Sequence, residues 1–182
     1  MSALLIKNAS INGENFDVLV EGGIIKDIRK GIVLRSCDKI DAKGLKAIVP
    51  TFANMHTHSA MSLLRGYADD MPLKEWLEEK IWPAEAKLTE DDIYWGTKLA
   101  CLEMIKTGTT FFNDMYFFPE ASARAAEEMG LRALIGLVVF DFSANGRPQA
   151  IEEKYKKLGK MKSDLVDFAI APHSIYTVEE EN

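Results

Sequence analysis

The sequence has few of the residues that usually staple or anchor a chain. It has two cysteines, Cys37 and Cys101, far apart and in no metal-ligand spacing. That excludes a disulfide framework and a cysteine-based zinc module, and two reduced thiols in a cytoplasmic protein are expected. No apolar run approaches the roughly 18 residues a membrane span needs. The opening Met1-Ser2-Ala3-Leu4-Leu5-Ile6-Lys7 has no basic segment or cleavage site and does not read as a secretory leader. Cations are in deficit, with 22 Lys and Arg against 28 Asp and Glu and a net charge of -6. Nucleic acid and anionic membrane both want clustered Lys and Arg, so neither is expected as a partner. Histidine is nearly as scarce as cysteine, at three in the chain.

Two styles of sequence meet near residue 48. Before it, short strand-like runs cover Ala3 to Lys7, Phe16 to Val20, Ile24 to Ile28 and Asp38 to Ala42. Phe16, Val18 and Val20 share a face by the two-residue period, and Gly22-Gly23 joins two runs into a predicted hairpin. Lys43-Gly44 reads as a turn. Beyond residue 48, strand-like stretches (Ala47 to Asn54, Thr109 to Met115, Arg132 to Phe140, Val166 to Ala171) alternate with helical ones. The helices are predicted over Pro72 to Lys80, Thr89 to Lys106, Pro119 to Met129 and Gln149 to Lys162.

Their ends have physical causes. Thr89 with Asp92 three residues on is an acidic capping box, and Gly108 sits where a helix stops. Pro119 suits a first helical turn, and Gly130 follows its end. Strands alternating with helices imply βαβ units and a parallel sheet. Residues 48–182 are too few for a whole (β/α)8 barrel, which takes about 250. The expectation is a domain of strands over residues 1–47, then the first four βα units of an incomplete barrel over 48–182. An open four-stranded α/β sheet is the alternative.

Two of the three histidines sit in Asn54-Met55-His56-Thr57-His58 at the end of the first barrel-like strand. Residues i and i+2 of a strand point to one face, so His56 and His58 project together with Thr57 opposite. Two adjacent imidazoles suit one divalent metal. A chance His-x-His on a turn is the plain alternative.

The continuation sharpens the reading: Ser59-Ala60-Met61-Ser62-Leu63-Leu64-Arg65-Gly66, then Asp69-Asp70, then Glu75-Trp76-Leu77. Val49-Pro50 precedes the strand, Gly108 to Phe111 leads into Asn113-Asp114-Met115-Tyr116-Phe117, and Ala171-Pro172-His173-Ser174-Ile175-Tyr176-Thr177 follows. In this order and spacing the chain, from about residue 3 to 182, resembles the amidohydrolase superfamily. Within it the likeness is to the methylthioadenosine/S-adenosylhomocysteine deaminase and chlorohydrolase branch.

The resemblance implies an α/β fold: the first half of a (β/α)8 TIM-type barrel preceded by strands of a small β-sandwich domain. It implies hydrolytic deamination of an adenosine-type nucleoside thioether with release of ammonia. His56 and His58 match metal ligands, for Zn2+ with Fe2+ as the alternative. Trp76, Glu85, Arg147 and His173 match substrate-binding positions. The remaining metal ligands and the proton-shuttling carboxylates match nothing in this chain, so no residue here is assigned to catalysis and the chain alone is expected to be inactive.

Each substrate residue also has a plainer reading. Trp76 and Trp82 at near-helical spacing suit packing, Glu85 a solvated acidic face, and Arg147 an exposed turn. Asp114 reads as a structural carboxylate and Arg65 as an organiser of its loop. Ile175 and Glu179 depart from the branch pattern beside the pocket. Another aminohydrolase or a triazine chlorohydrolase is the nearest alternative. The non-enzymatic alternative is an assembly partner or inactive fragment, whose open strand edges would favour a homo-oligomer.

Overall fold

The computed structural model describes residues 3–140 and 148–178, and the chain divides into two compact units, Met1–Pro50 and Thr51–Asn182. In the first unit, β1 (Leu4–Ile11), β2 (Glu14–Glu21), β3 (Ile24–Arg29) and β4 (Asp38–Asp41) form one sheet in the order β3-β2-β1-β4. β1 and β2 are longer than the sequence suggested, because a hairpin turn at Asn12-Gly13 joins them. Both residues have positive φ (51° and 88°), which the tight I′ turn requires and Asn-Gly supplies. The β2–β3 hairpin forms around Gly22-Gly23 as expected, and β4 lies parallel to β1.

The simple alternation expected of β2 is not observed. Asp17 is 3% exposed and the register shifts between Leu19 and Val20. The Asp17 carboxylate accepts the backbone N–H groups of Asn8 (3.0 Å) and Ile32 (2.9 Å). Burial alone would raise this carboxyl. The backbone donors and Lys7, 3.7 Å away, outweigh it and hold the group below the usual carboxylate range.

In the second unit, β5 (Phe52–Thr57), β6 (Thr109–Tyr116), β7 (Arg132–Val139) and β8 (Val166–Pro172) form a parallel sheet in sequential order. β5 starts at Phe52, later than Ala47. Ala47 instead makes an isolated bridge to Ser10, and Pro50 has no N–H for a ladder. The helical segment predicted to end at Lys80 runs on to Glu85. It comprises α1 (Leu73–Glu75), a π turn (Trp76–Ile81) and α2 (Trp82–Glu85). Pro83 cannot donate to the carbonyl four residues back, and the Trp82 N–H reaches five residues back to Leu77.

Helix α3 (Glu90–Thr107) carries the complete Thr89/Asp92 capping box and ends at Gly108 with φ 84°. Helix α4 (Pro119–Met129) has the expected limits. Helix α5 (Pro148–Leu158) is shorter than predicted, giving way to a 3₁₀ turn at Gly159–Met161. One face of the sheet presents Phe112, Ile135, Leu137 and Phe168 to Cys101, Met104, Ala123 and Ala126 of α3 and α4. Because all four strands run the same way, their C-terminal ends gather at one edge. That edge is where parallel α/β architectures place chemistry. Among the described residues no helix is long and apolar enough to cross a membrane.

Candidate active site

His56 lies in β5 and His58 directly follows its last residue. Their ring centroids are 5.2 Å apart and their planes meet at 79°. His58 Nδ1 lies 2.7 Å from the Met115 carbonyl. A carbonyl oxygen only accepts, so Nδ1 carries the proton and Nε2 presents its lone pair. That is the tautomer in which a histidine binds a metal through Nε2.

Beneath the pair lies Asp114, 1% exposed. Its Oδ1 accepts the Ser59 N–H at 2.8 Å and lies 2.9 Å from the Thr57 hydroxyl. Its Oδ2 accepts the Ser59 hydroxyl at 2.7 Å. The residues on either side of His58 are thus tied to one carboxylate, in keeping with a structural reading of Asp114.

The strand ends bring further groups to the same edge. Tyr116, the last residue of β6, donates its hydroxyl to Glu85 Oε1 at 2.7 Å, and its ring lies 6.1 Å from that of His58. Burial pushes the Glu85 carboxyl above the usual range; the Tyr116 bond and the nearby His58 act in the opposite sense but do not cancel it. Glu85 is therefore half-buried with a specific partner rather than part of a solvated face.

His173 follows β8, and its ring packs 4.6 Å from Phe140, just past β7. Its Nδ1 lies 2.9 Å from Thr177 Oγ1. Burial, and secondarily the proximity of His58, lowers its pKa. A cavity of about 310 Å³ opens between the strand ends, with His56, Met115, Gly136, Ala171 and His173 on its walls.

Trp76 and Arg65 have partners of their own. The Trp76 indole N–H donates to the Ala68 carbonyl at 2.9 Å, which pins the loop after the 3₁₀ turn at Ser59–Leu64. Arg65 makes a two-pronged pair with Glu103 of α3, both contacts at 2.8 Å, as a loop organiser would. Arg147 and Glu179 lie outside the described residues.

Sequence reasoning missed Tyr116, Thr57 and Ser59. Tyr116 had a signal, since it lies two residues past Asp114 at a strand end and shares its face. Thr57 and Ser59 had none, because their partner is 55 to 57 residues away and becomes visible only with the β5–β6 register.

The donor set suits a borderline divalent ion: two imidazoles, one with its tautomer fixed by a carbonyl. Among the described residues no group of three or more His, Cys, Asp or Glu is arranged to hold a metal. The pair therefore fits part of a divalent-metal site.

A parallel βα sheet with paired histidines at its C-terminal edge is a frame that suits a divalent metal. Residues 47–182 match the amidohydrolase family, and the chain belongs to that family. It is 50% identical over 183 residues to 5-methylthioadenosine/S-adenosylhomocysteine deaminase 1 of Archaeoglobus fulgidus, covering 96% of this chain and 42% of that protein. It is 45% identical over 184 residues to 5'-deoxyadenosine deaminase of Methanocaldococcus jannaschii, covering 98% and 44%. An adenosine deaminase from Xanthomonas campestris, solved with bound zinc, superposes with a TM-score of 0.86 at 31% identity, covering 98% of this chain and 44% of that one. The chain spans less than half the length of these relatives.

Proposed function

We propose that the complete protein deaminates an adenosine-type nucleoside with a modified 5′ position, methylthioadenosine or S-adenosylhomocysteine, by metal-dependent hydrolysis that releases ammonia. The observation that carries this reading is the His56/His58 pair at the sheet edge, with the His58 tautomer set for a metal and Glu85 and His173 beside it. The names of the similar deaminases support the substrate class.

In this reading His56 and His58 hold Zn2+, with Fe2+ as the alternative. A divalent ion held there supplies a hydroxide nucleophile at neutral pH. Glu85, fixed by Tyr116, accepts hydrogen bonds from the ribose hydroxyls. His173, backed by Thr177 and Phe140, meets the purine. These are positioning roles, which convert an encounter into a reactive geometry. Arg147 clamps the carboxylate of S-adenosylhomocysteine. Trp76 offers its ring face to the nucleoside while its N–H stays on Ala68.

The four βα units are read as the first half of a (β/α)8 barrel over residues 48–182, and residues 1–47 as strands of a small β-sandwich domain. This reading requires further metal ligands and proton-shuttling carboxylates besides the residues named here. The protein is read as cytoplasmic, and as a homo-oligomer.

The test is ammonia release by the metal-loaded complete gene product from methylthioadenosine, S-adenosylhomocysteine and 5'-deoxyadenosine, beside guanine, cytosine and a chlorinated triazine. Turnover of the nucleosides is expected. Turnover confined to the bases or the triazine would refute the substrate class.

A further inference from the structure

The polar cluster below the His-x-His pair is more specific than burial alone requires. Of the two neighbours of His58 in sequence, Ser59 donates both its N–H and its hydroxyl to Asp114, and the Thr57 hydroxyl lies 2.9 Å from both Asp114 Oδ1 and the Asn113 carbonyl, its one proton shared between those two acceptors. The His58 ring bonds to the carbonyl of Met115, the residue after Asp114. The residues flanking one histidine, and the ring of that histidine, are thus held by consecutive residues of β6. The grip continues inward, since Ser59 Oγ lies 3.1 Å from Thr97 Oγ1 of α3, which lies 3.3 Å from Ser122 Oγ of α4. His56 is held more loosely, its N–H meeting Asn54 Oδ1 at 3.4 Å.

We propose that Asp114 is a positioning residue for the metal site: by locking the chain on both sides of His58 it sets where Nε2 points. The proposal rests on the reading of His58 as a metal ligand. A metal site tolerates little error in ligand direction, and partners behind the ligands typically change metal affinity by about 10- to 100-fold. A buried carboxylate that takes both the N–H and the hydroxyl of Ser59, one on each oxygen, also rotates little, because any other orientation would strand buried polar groups. The Ser59 and Thr57 hydroxyls and the Ser59 N–H are therefore aimed by Asp114 as much as they satisfy it.

The experiment uses the complete gene product. The zinc dissociation constant is measured by competition with a chromophoric chelator for wild type, Asp114→Asn, Ser59→Ala and His58→Ala, with thermal unfolding of the metal-free proteins as the control on folding. Asp114→Asn is expected to bind zinc about 10- to 100-fold more weakly. Its turnover should recover toward wild type at saturating zinc, since the residue orients a ligand and does not touch substrate. Ser59→Ala keeps Asp114 and removes one hydroxyl from it, so a smaller loss of affinity is expected. That variant decides the matter if Asp114→Asn does not fold. Unchanged zinc affinity in Asp114→Asn, or in Ser59→Ala should the first not fold, would overturn the proposal and leave Asp114 a purely structural group. Wild-type zinc affinity in His58→Ala would remove the metal reading itself, and the proposal with it, whatever Asp114→Asn shows.

Discussion

The Tyr116 hydroxyl donates to Glu85 Oε1 across 2.7 Å, tying the last residue of a parallel strand to the end of a helix 31 residues earlier in the chain. This bond gives the carboxylate one orientation. In Tyr116→Phe that orientation is lost while the ring packing near His58 remains. A hydrogen bond to a charged group contributes about 1.5–3 kcal/mol. The expected outcome is a KM for the nucleoside raised at least about tenfold, with kcat within about threefold, measured by steady-state kinetics. A fall in kcat at constant KM would place Tyr116 in the chemistry instead.

Glu85 also makes a pH dependence testable. Burial raises its pKa in the folded chain above the value it has unfolded. The folded state therefore binds this proton more tightly. The stability from that proton is fully present below the ordinary carboxylate value and is lost as pH rises through the raised value. Glu85→Gln should remove that falling limb. Thermal unfolding of wild type and variant between about pH 4 and 7 reads it directly, the ordinary carboxyl pKa lying near 4.3. Parallel curves would show that the carboxyl is not buried enough to matter.

Gly96 in α3 lies against the 3₁₀ turn Ser59–Leu64 that follows His58. A Cβ there would stand 2.6 Å from the Ala60 carbonyl oxygen and 3.0 Å from Ala60 Cα. Helix propensity alone would favour alanine by about 1 kcal/mol. Overpacking against backbone costs about 1–3 kcal/mol and should win. Gly96→Ala is expected to lower the unfolding temperature; a rise would mean that the turn moves aside freely.

Much of this arrangement was legible in the sequence, for identifiable reasons. The limits of α4, the capping box of α3 and the glycines that end both helices follow from local chemistry at Thr89, Gly108, Pro119 and Gly130. The i, i+2 spacing of His56 and His58 followed from strand geometry. Four features did not follow. The π turn before Pro83 depends on which carbonyl the Trp82 N–H can reach. Burial of Asp17 depends on donors from Asn8 and Ile32. The Asp114 cluster and the Tyr116–Glu85 bond depend on residues that the β5–β6 pairing and the long connection between those strands bring together. The Asn12-Gly13 hairpin is different, because the dipeptide is a strong local signal and was there to be read.

The chain by itself should be catalytically silent. Its described residues offer the His56/His58 pair but no group of three or more His, Cys, Asp or Glu arranged to hold a metal, and zinc held by protein usually has at least three ligands. Residues 1–182, purified and supplied with zinc, are expected to release ammonia from methylthioadenosine at a rate far below that of the complete gene product. Turnover within about tenfold would show that the site lies wholly within these residues and has been misplaced.

The central claim is that His56 and His58 hold the metal on which deamination depends. The most direct measurement is metal content per chain by elemental analysis in His56→Ala of the complete gene product, read beside its ammonia release from S-adenosylhomocysteine. Loss of metal and loss of turnover together are the expected result. A wild-type metal content in that variant would contradict the claim.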